Sequence, residues 1–437
     1  MGGKANIPDN KSRTSSFDSS VATPTLIKHL PYDYKTKLHD PDFDVDRTQA
    51  GRSVSAYYNI VCCVCGTGML SLPSVLAAGG WSALALLLLC WWMVTYASII
   101  LVRCLYYGGD KRLPSVNRVA TAAFGRWGGY TSFFFNAWIL LGTPTLYLVL
   151  CGQNLNDLCK GTVAEIGYIP WTIIFAAAIC IPFVFMKNMD SLSWTSLLGV
   201  IVTVGTTLIC VIEAALDRPN QEDTIKENVI WDGWPSAIAV IAFSLGGNVI
   251  YPNCEAAMRR PERWPIVAML GLSSCALLYI MVAIPGYLVY GETAQNPIYN
   301  SIPHNSIGRI LAIVMVTTNI TVSIPIFAGS FVLDSEHMMN ITVEKLGEKK
   351  ELLYRAIWRI CVPYFSPLMS LFGAFGYSTT IFIIPVLCYW KLTGFRNKPI
   401  YEIAWGFLAL VMGVVGLIFG TWDAITSLIE AYAKEES

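Results

Sequence analysis

Charge is what this sequence has least of. Lys, Arg, Asp and Glu make up 14% of its 437 residues, while hydrophobic residues make up 54%. Soluble domains carry roughly 25% charged residues, so a water-soluble fold is excluded and an integral membrane protein implied. Histidine is scarcer still, with four residues at 29, 39, 304 and 337, none of them in an apolar run. Without an acidic cluster, a metal-ligand spacing or a nucleophile arrangement at membrane depth, the chain offers nothing for an enzyme, a metal or a cofactor to be built on. The formal net charge is zero, and no basic patch recommends nucleic acid as a partner. Nearly all of the 13 Cys lie in apolar runs, where they behave as small apolar residues. Cys159 falls in a loop without a loop partner, so no disulfide is expected.

No cleavable signal peptide is evident. Residues 1–52 are polar, rich in Ser, Thr, Asp and Lys, and lack apolar periodicity, which predicts a disordered cytoplasmic tail. Met1-Gly2-Gly3-Lys4-Ala5-Asn6 lacks the Ser or Thr that myristoylation wants at its sixth position, so no lipid anchor is expected. Sequons at Asn10, Asn319 and Asn340 fall in the tail, a span and a cytoplasmic loop, which predicts no glycan.

A spanning helix needs about 20 mostly apolar residues. That criterion predicts eleven, at roughly 56–77, 81–105, 131–153, 170–188, 191–212, 235–257, 265–290, 308–332, 356–374, 376–391 and 402–424. Pro363 and Pro367 interrupt the ninth, and Phe375-Gly376 separates it from the tenth. Residues 425–437 form a short tail. With the N-terminus inside, 25 of the 30 basic residues fall on the cytoplasmic side and five on the far side. So strong a bias supports the orientation and the span count together, and it places the C-terminus outside or in a lumen.

Two spans are interrupted at mid-membrane. The first breaks at Gly66-Thr67-Gly68, with Pro73 a turn later; the sixth breaks at Ser244-Leu245-Gly246-Gly247-Asn248, with Pro252 behind it. Interrupted helices at corresponding places in two halves of a polytopic chain point to the binding site of a secondary transporter. Hydrocarbon does not tolerate the freed backbone groups unless they face a cavity or a ligand. The first segment runs from inside to outside, so its second half-helix aims amides near Thr67 to Met69 at the break, where a carboxylate fits. Freed carbonyls near Ser244 to Gly246 accept hydrogen bonds from an ammonium group. A zwitterion could thus be held without formal charges, and an amino acid is the expected substrate. Close helix packing by small residues is the other reading of either break alone.

The stretch Asn59-Ile60-Val61 through Gly66-Thr67-Gly68-Met69-Leu70-Ser71-Leu72-Pro73, followed by Gly79-Gly80-Trp81, resembles the first-helix signature of the amino acid/auxin permease family. Within it the chain is similar to the vacuolar amino-acid transporters and the vesicular inhibitory amino-acid transporter. Ile100 to Tyr106, Pro182 to Asn188, Ser196 to Gly199, Phe243 to Pro252 with Glu255 and Pro261, and Leu428 to Tyr432 extend the match along residues 53–432.

The resemblance implies an all-α, LeuT-type fold. Helices 1–5 and 6–10 would be inverted repeats (about 53–212 and 235–391), with the eleventh peripheral. It implies substrate between helices 1, 3, 6, 8 and 10, Thr67 and Gly68 on the carboxylate side, Ser244 and Gly246 on the ammonium side, and Asn59 near a cation region. Gly66, Met69 and Asn248 of the two breaks, with Phe243 and Tyr147, complete the expected substrate site. Asn136 and the unusually polar run Thr317, Thr318, Asn319 and Thr321 are candidates for coupling-ion or polar lining, or for bonds between helices. Glu255, the one carboxylate well inside an expected span, sits four residues before Arg259, which predicts an ion pair at the cytoplasmic mouth.

The expected function is secondary active transport of a neutral amino acid by alternating access, by a chain working as a monomer in a vacuolar, lysosomal or other endomembrane bilayer. Its driving force is a proton gradient, inferred from the resemblance alone. An amino-acid sensor signalling through the N-terminal tail and a sodium-coupled symporter are the alternatives.

Overall fold

A computed structural model describes residues 51–107, 112–185, 193–220, 224–304, 306–339, 372–394 and 398–435. Every regular element among them is helical; a lone bridge between Gly51 and Met258 is the exception. The principal helices are α1 (Ser53–Val64), α2 (Leu72–Gly79), α3 (Ser82–Leu105), α4 (Val116–Leu158), α5 (Tyr168–Phe185), α6 (Ser193–Asp217), α7 (Trp234–Ser244), α8 (Tyr251–Ala256), α9 (Trp264–Tyr290), α10 (Ile307–Met339), α11 (Ile384–Thr393) and α12 (Ile400–Glu435).

Seven described helices are long and apolar enough to cross a bilayer, and α1 and the segment Thr67–Gly79, bent by 42° at their break, pass the same test when taken together. The expected first, second, third, fifth, seventh, eighth, tenth and eleventh spans fall on these eight. The fourth corresponds to the shorter α5, and the sixth is divided between α7 and α8, of 11 and 6 residues. Most of the ninth, with Pro363 and Pro367, lies outside the described residues, as do residues 1–50.

Four boundaries differ from expectation. Phe375-Gly376 does not separate two helices. It lies inside a wide π-turned stretch, Phe372–Tyr377, followed by a second at Thr379–Ile383 that runs into α11. Gly125, at φ 73°, bends α4 so that a short helix, Val116–Phe124, precedes the long one; only glycine takes that backbone conformation freely. α10 continues to Met339, beyond the expected end at 332, and carries Asp334 into the helix. α12 runs on through most of the expected tail to Glu435, because Ala, Leu, Ile, Glu and Lys there favour helix.

Burial separates centre from rim. Within its most apolar window the span Gly373–Thr393 is 78% buried, whereas that of α12 is 33% buried and presents Phe407, Ile418, Phe419 and Trp422 outward. A helix exposing large apolar side chains along its length suits contact with lipid.

Candidate functional site

The two breaks are built alike. α1 stops at Val64; Gly66 leaves helical geometry at φ −83°, ψ −138°, and the chain resumes as a 3-10 turn, Thr67–Ser71, before α2 with Pro73 near its start. α7 stops at Ser244, and the chain turns through Gly246 and Gly247 before α8, again with proline, Pro252, near its start. Proline suits a first helical turn because its missing N–H would have no partner there.

The breaks touch. The Ser244 hydroxyl lies 3.0 Å from the Gly68 carbonyl and 2.7 Å from that of Val240. A Cβ on Gly68 would stand 2.5 Å from the Ser244 Cα, so this approach requires glycine. On α9 the fully buried Tyr279 hydroxyl lies 2.7 Å from the Val64 carbonyl and 2.5 Å from the Ser244 carbonyl. Those are the carbonyls released at the two helix ends, and one O–H proton cannot satisfy both. The sequence reading missed Tyr279; its signal was a tyrosine at the middle of an apolar span, well apart from Tyr287 and Tyr290 at the end of that span.

Aromatic side chains wall the breaks. Tyr147 of α4 presses its hydroxyl on Gly66, where a Cβ would come within 2.6 Å of it. It meets Phe327 edge-on at 6.1 Å. Tyr377 shares a hydrogen bond with Thr143 at 2.8 Å, meets Phe243 edge-on at 5.4 Å and lies against Gly246. Met69 receives the Thr207 hydroxyl on its sulfur at 3.2 Å. Asn248 donates to the Ile381 carbonyl at 3.3 Å, while its own carbonyl oxygen is buried without a hydrogen-bond partner. The structure therefore brings Gly66, Thr67, Gly68, Tyr147, Phe243, Ser244 and Gly246 together, and adds Thr143, Tyr279 and Tyr377.

The polar run on α10 divides between two faces. Asn319 is buried and donates to the Gly199 carbonyl at 3.1 Å and the Thr203 hydroxyl at 2.7 Å. Ser323 lies 3.3 Å from the Cys62 carbonyl, and Thr203 lies 3.3 Å from that of Cys65. Oxygens thus gather beside the end of α1. Thr318 instead bonds the Val314 carbonyl of its own helix, Thr321 bonds that of Thr317, and the Thr317 hydroxyl accepts from Asn154. Asn59 is buried with an unpartnered carbonyl oxygen. Asn136 belongs to neither group: it donates to Asn117 at 3.2 Å, near the N-terminal end of α4.

The ion pair of Glu255 differs from expectation. Glu255 pairs with Arg112 at 2.7 Å, both side chains nearly fully buried, while Arg259 is exposed. Reach decides this: Arg112 enters from the segment before α4 and also donates to the Pro252 carbonyl at 2.7 Å, and Tyr106 donates to the other Glu255 oxygen at 2.5 Å. Gly51 adds backbone bonds to Ala257 and Arg259, each 3.0 Å, strapping the chain across the end of α8. At the opposite end of the molecule lies a cavity of about 410 Å³, lined by Asn154, Asp157, Tyr299, His304 and Arg309 among others. An Arg309–Asp157 ion pair of 2.8 Å crosses it.

Residues 50–426 match the family described as transmembrane amino acid transporter protein. The chain is 26% identical to amino acid transporter AVT1I of Arabidopsis thaliana, covering 90% of this chain and 99% of that protein. It is 23% identical to the human vesicular inhibitory amino acid transporter, over 86% of this chain and 76% of that one. Among solved structures, MhsT in complex with L-phenylalanine superposes with a TM-score of 0.57 at 11% identity, covering 85% of this chain and 99% of its own. Mhp1, a nucleobase-cation-symport-1 family transporter, gives 0.57 at 14% identity, over 89% and 94%.

Proposed function

This chain belongs to the transmembrane amino acid transporter family, and from that membership and its paired breaks we infer secondary active transport of neutral amino acids. That family is one of transporters, not enzymes. The observation that carries the reading is the meeting of the two helix ends: Gly68 against Ser244, with the Val64 and Ser244 carbonyls converging on the single proton of Tyr279. A zwitterion matches that geometry, its ammonium group on the surplus carbonyl and its carboxylate at the Thr67–Gly68 amides. The wall of Tyr147, Phe243, Phe327 and Tyr377 carries no charge, which favours a neutral side chain.

The two ends of the molecule support a reading by alternating access. The side holding Gly51 and Arg112 is latched and the opposite side carries the cavity, so this conformation is closed toward the N-terminal side, taken as the cytoplasm. Transport then requires the Glu255–Arg112 latch to part as α1, α2, α7 and α8 rock about the breaks. In this reading the first ten of eleven spans form an inverted repeat over about 53–212 and 235–391, the eleventh is peripheral, a monomer suffices, and an endomembrane such as that of a vacuole houses it. Protons drive the cycle. A sodium-driven cycle is the second reading, favoured by the oxygens of Cys62, Cys65, Thr203, Asn319 and Ser323 beside the first break.

Purified protein in proteoliposomes, under an imposed pH gradient and with a panel of labelled amino acids, tests this. Concentrative uptake of a neutral amino acid is expected. Absence of gradient-driven flux for every amino acid overturns the reading, and flux driven by sodium alone selects the second.

A further inference from the structure

The inner end of α10 holds a buried carboxyl group that neither the breaks nor the latch uses. Asp334 is 4% exposed, and beside it lie Asn117 at 2% and Asn136 at 1%, with Ser132, 1% exposed, bonded to Asn117. The amides of Asn117 and Asn136 are the groups that act on its carboxyl. Ser132 and Asn136 both donate to the Asn117 carbonyl oxygen, at 3.1 and 3.2 Å, which fixes that amide with its nitrogen turned away from them. That nitrogen and the Asp334 Oδ2 are each buried without a hydrogen-bond partner. Among the described residues no cation compensates the carboxyl. Arg126 of α4 is exposed, and Arg112, on the segment before α4, is engaged by Glu255. Glu336 and His337 follow it in sequence on α10.

We propose that Asp334, seated against Asn117 and Asn136, is the group that carries the coupled proton; this rests on the proton-driven reading above. A carboxylate facing only neutral amides in a water-free site is costly, so the occluded site favours the neutral acid. Ionisation requires water. Water reaches Asp334 only by opening the side on which it lies, the side of the Glu255–Arg112 latch, since Arg112 precedes Asn117 by five residues on the segment entering α4. Proton release is thereby tied to inward opening. The proton moves from the Asp334 carboxyl to water and no other bond changes.

The experiment compares wild type, Asp334→Asn and Asp334→Glu in proteoliposomes carrying an internal pH dye. Wild type is expected to accumulate amino acid down an imposed proton gradient with acidification of the receiving side. Asp334→Asn is expected to lose accumulation and proton flux at least tenfold while still exchanging labelled for unlabelled amino acid. Asp334→Glu is expected to keep accumulation with a displaced pH midpoint. Full proton-coupled accumulation by Asp334→Asn overturns the proposal. Should that variant fail to fold, an unchanged midpoint in Asp334→Glu overturns it instead. A wild type that exchanges amino acid but ignores the proton gradient refutes this proposal alone, whereas a wild type that moves no amino acid refutes the transport reading itself.

Discussion

Gly68 and Ser244, 176 positions apart in the chain, meet so closely that the Ser244 hydroxyl lies 3.0 Å from the Gly68 carbonyl and a Cβ on Gly68 would stand 2.5 Å from the Ser244 Cα. The contact joins the two breaks into one structure, so whatever moves one bends the other. Gly68→Ala must push backbone against backbone, and overpacking of this kind costs about 1–3 kcal/mol. Lower thermal stability in detergent and loss of substrate-stabilised melting are expected. Ser244→Ala removes only a hydrogen bond with an alternative acceptor at Val240, worth about 1 kcal/mol. A thermal-shift comparison with and without amino acid checks both, and equal behaviour of the two variants contradicts the close-approach argument.

Tyr279→Phe separates the hydroxyl from the ring. The ring keeps its packing in the core, while two buried carbonyls lose their shared donor; each buried group left unsatisfied costs about 1–3 kcal/mol. A bound ammonium group would restore one of those bonds. The variant should therefore be destabilised without ligand and regain more stability than wild type when amino acid is added. Melting curves over a substrate titration measure this, and an identical ligand-induced shift in the two proteins argues against ammonium at these carbonyls.

The latch gives an asymmetric pair of expectations. Breaking a buried ion pair by removing one partner costs about 3–5 kcal/mol because the other charge is left uncompensated. Arg112→Ala should therefore destabilise strongly and, in any protein that folds, raise labelling of a cysteine introduced behind the latch from the N-terminal side. Arg259→Ala, at an exposed position, should change stability by less than about 0.5 kcal/mol. Equal effects would restore the pairing with Arg259.

How much of this was legible beforehand depended on the kind of signal. Apolar runs and basic residues read one at a time placed most spans, and Gly66-Thr67-Gly68 and Ser244 to Asn248 marked both breaks through local backbone chemistry. Pairings between distant segments were not legible. Glu255 and Arg259 are four apart on a helical pattern, so proximity in sequence suggested an ion pair that Arg112, 143 positions away, makes instead. Thr318 and Asn319 are adjacent and equally polar, yet helical rotation turns one toward its own backbone and the other toward Thr203. Asp334 escaped because hydropathy ended the eighth span at 332, where the residues become polar, although the backbone continues as helix to Met339.

Substrate size should be set by the pair Phe243 and Tyr377. Their rings meet edge-on at 5.4 Å beside the second break, and Tyr377 lies so near Gly246 that a Cβ there would fall 2.1 Å from its ring. The Thr143 hydroxyl, 2.8 Å from that of Tyr377, fixes the ring in place. Phe243→Ala opens space on the side-chain face without touching the amides and carbonyls proposed to hold the zwitterion. One methylene in an apolar pocket discriminates by about 1–3 kcal/mol, so removing a whole ring should shift the order of competition toward large aromatic substrates. Tyr377→Phe keeps the wall and frees it to move, which should lower affinity for every substrate alike and leave their order intact. Competition by a graded series from glycine to tryptophan against one labelled amino acid distinguishes the two outcomes. If the order of competition is the same in Phe243→Ala as in wild type, the aromatic wall does not face the substrate side chain.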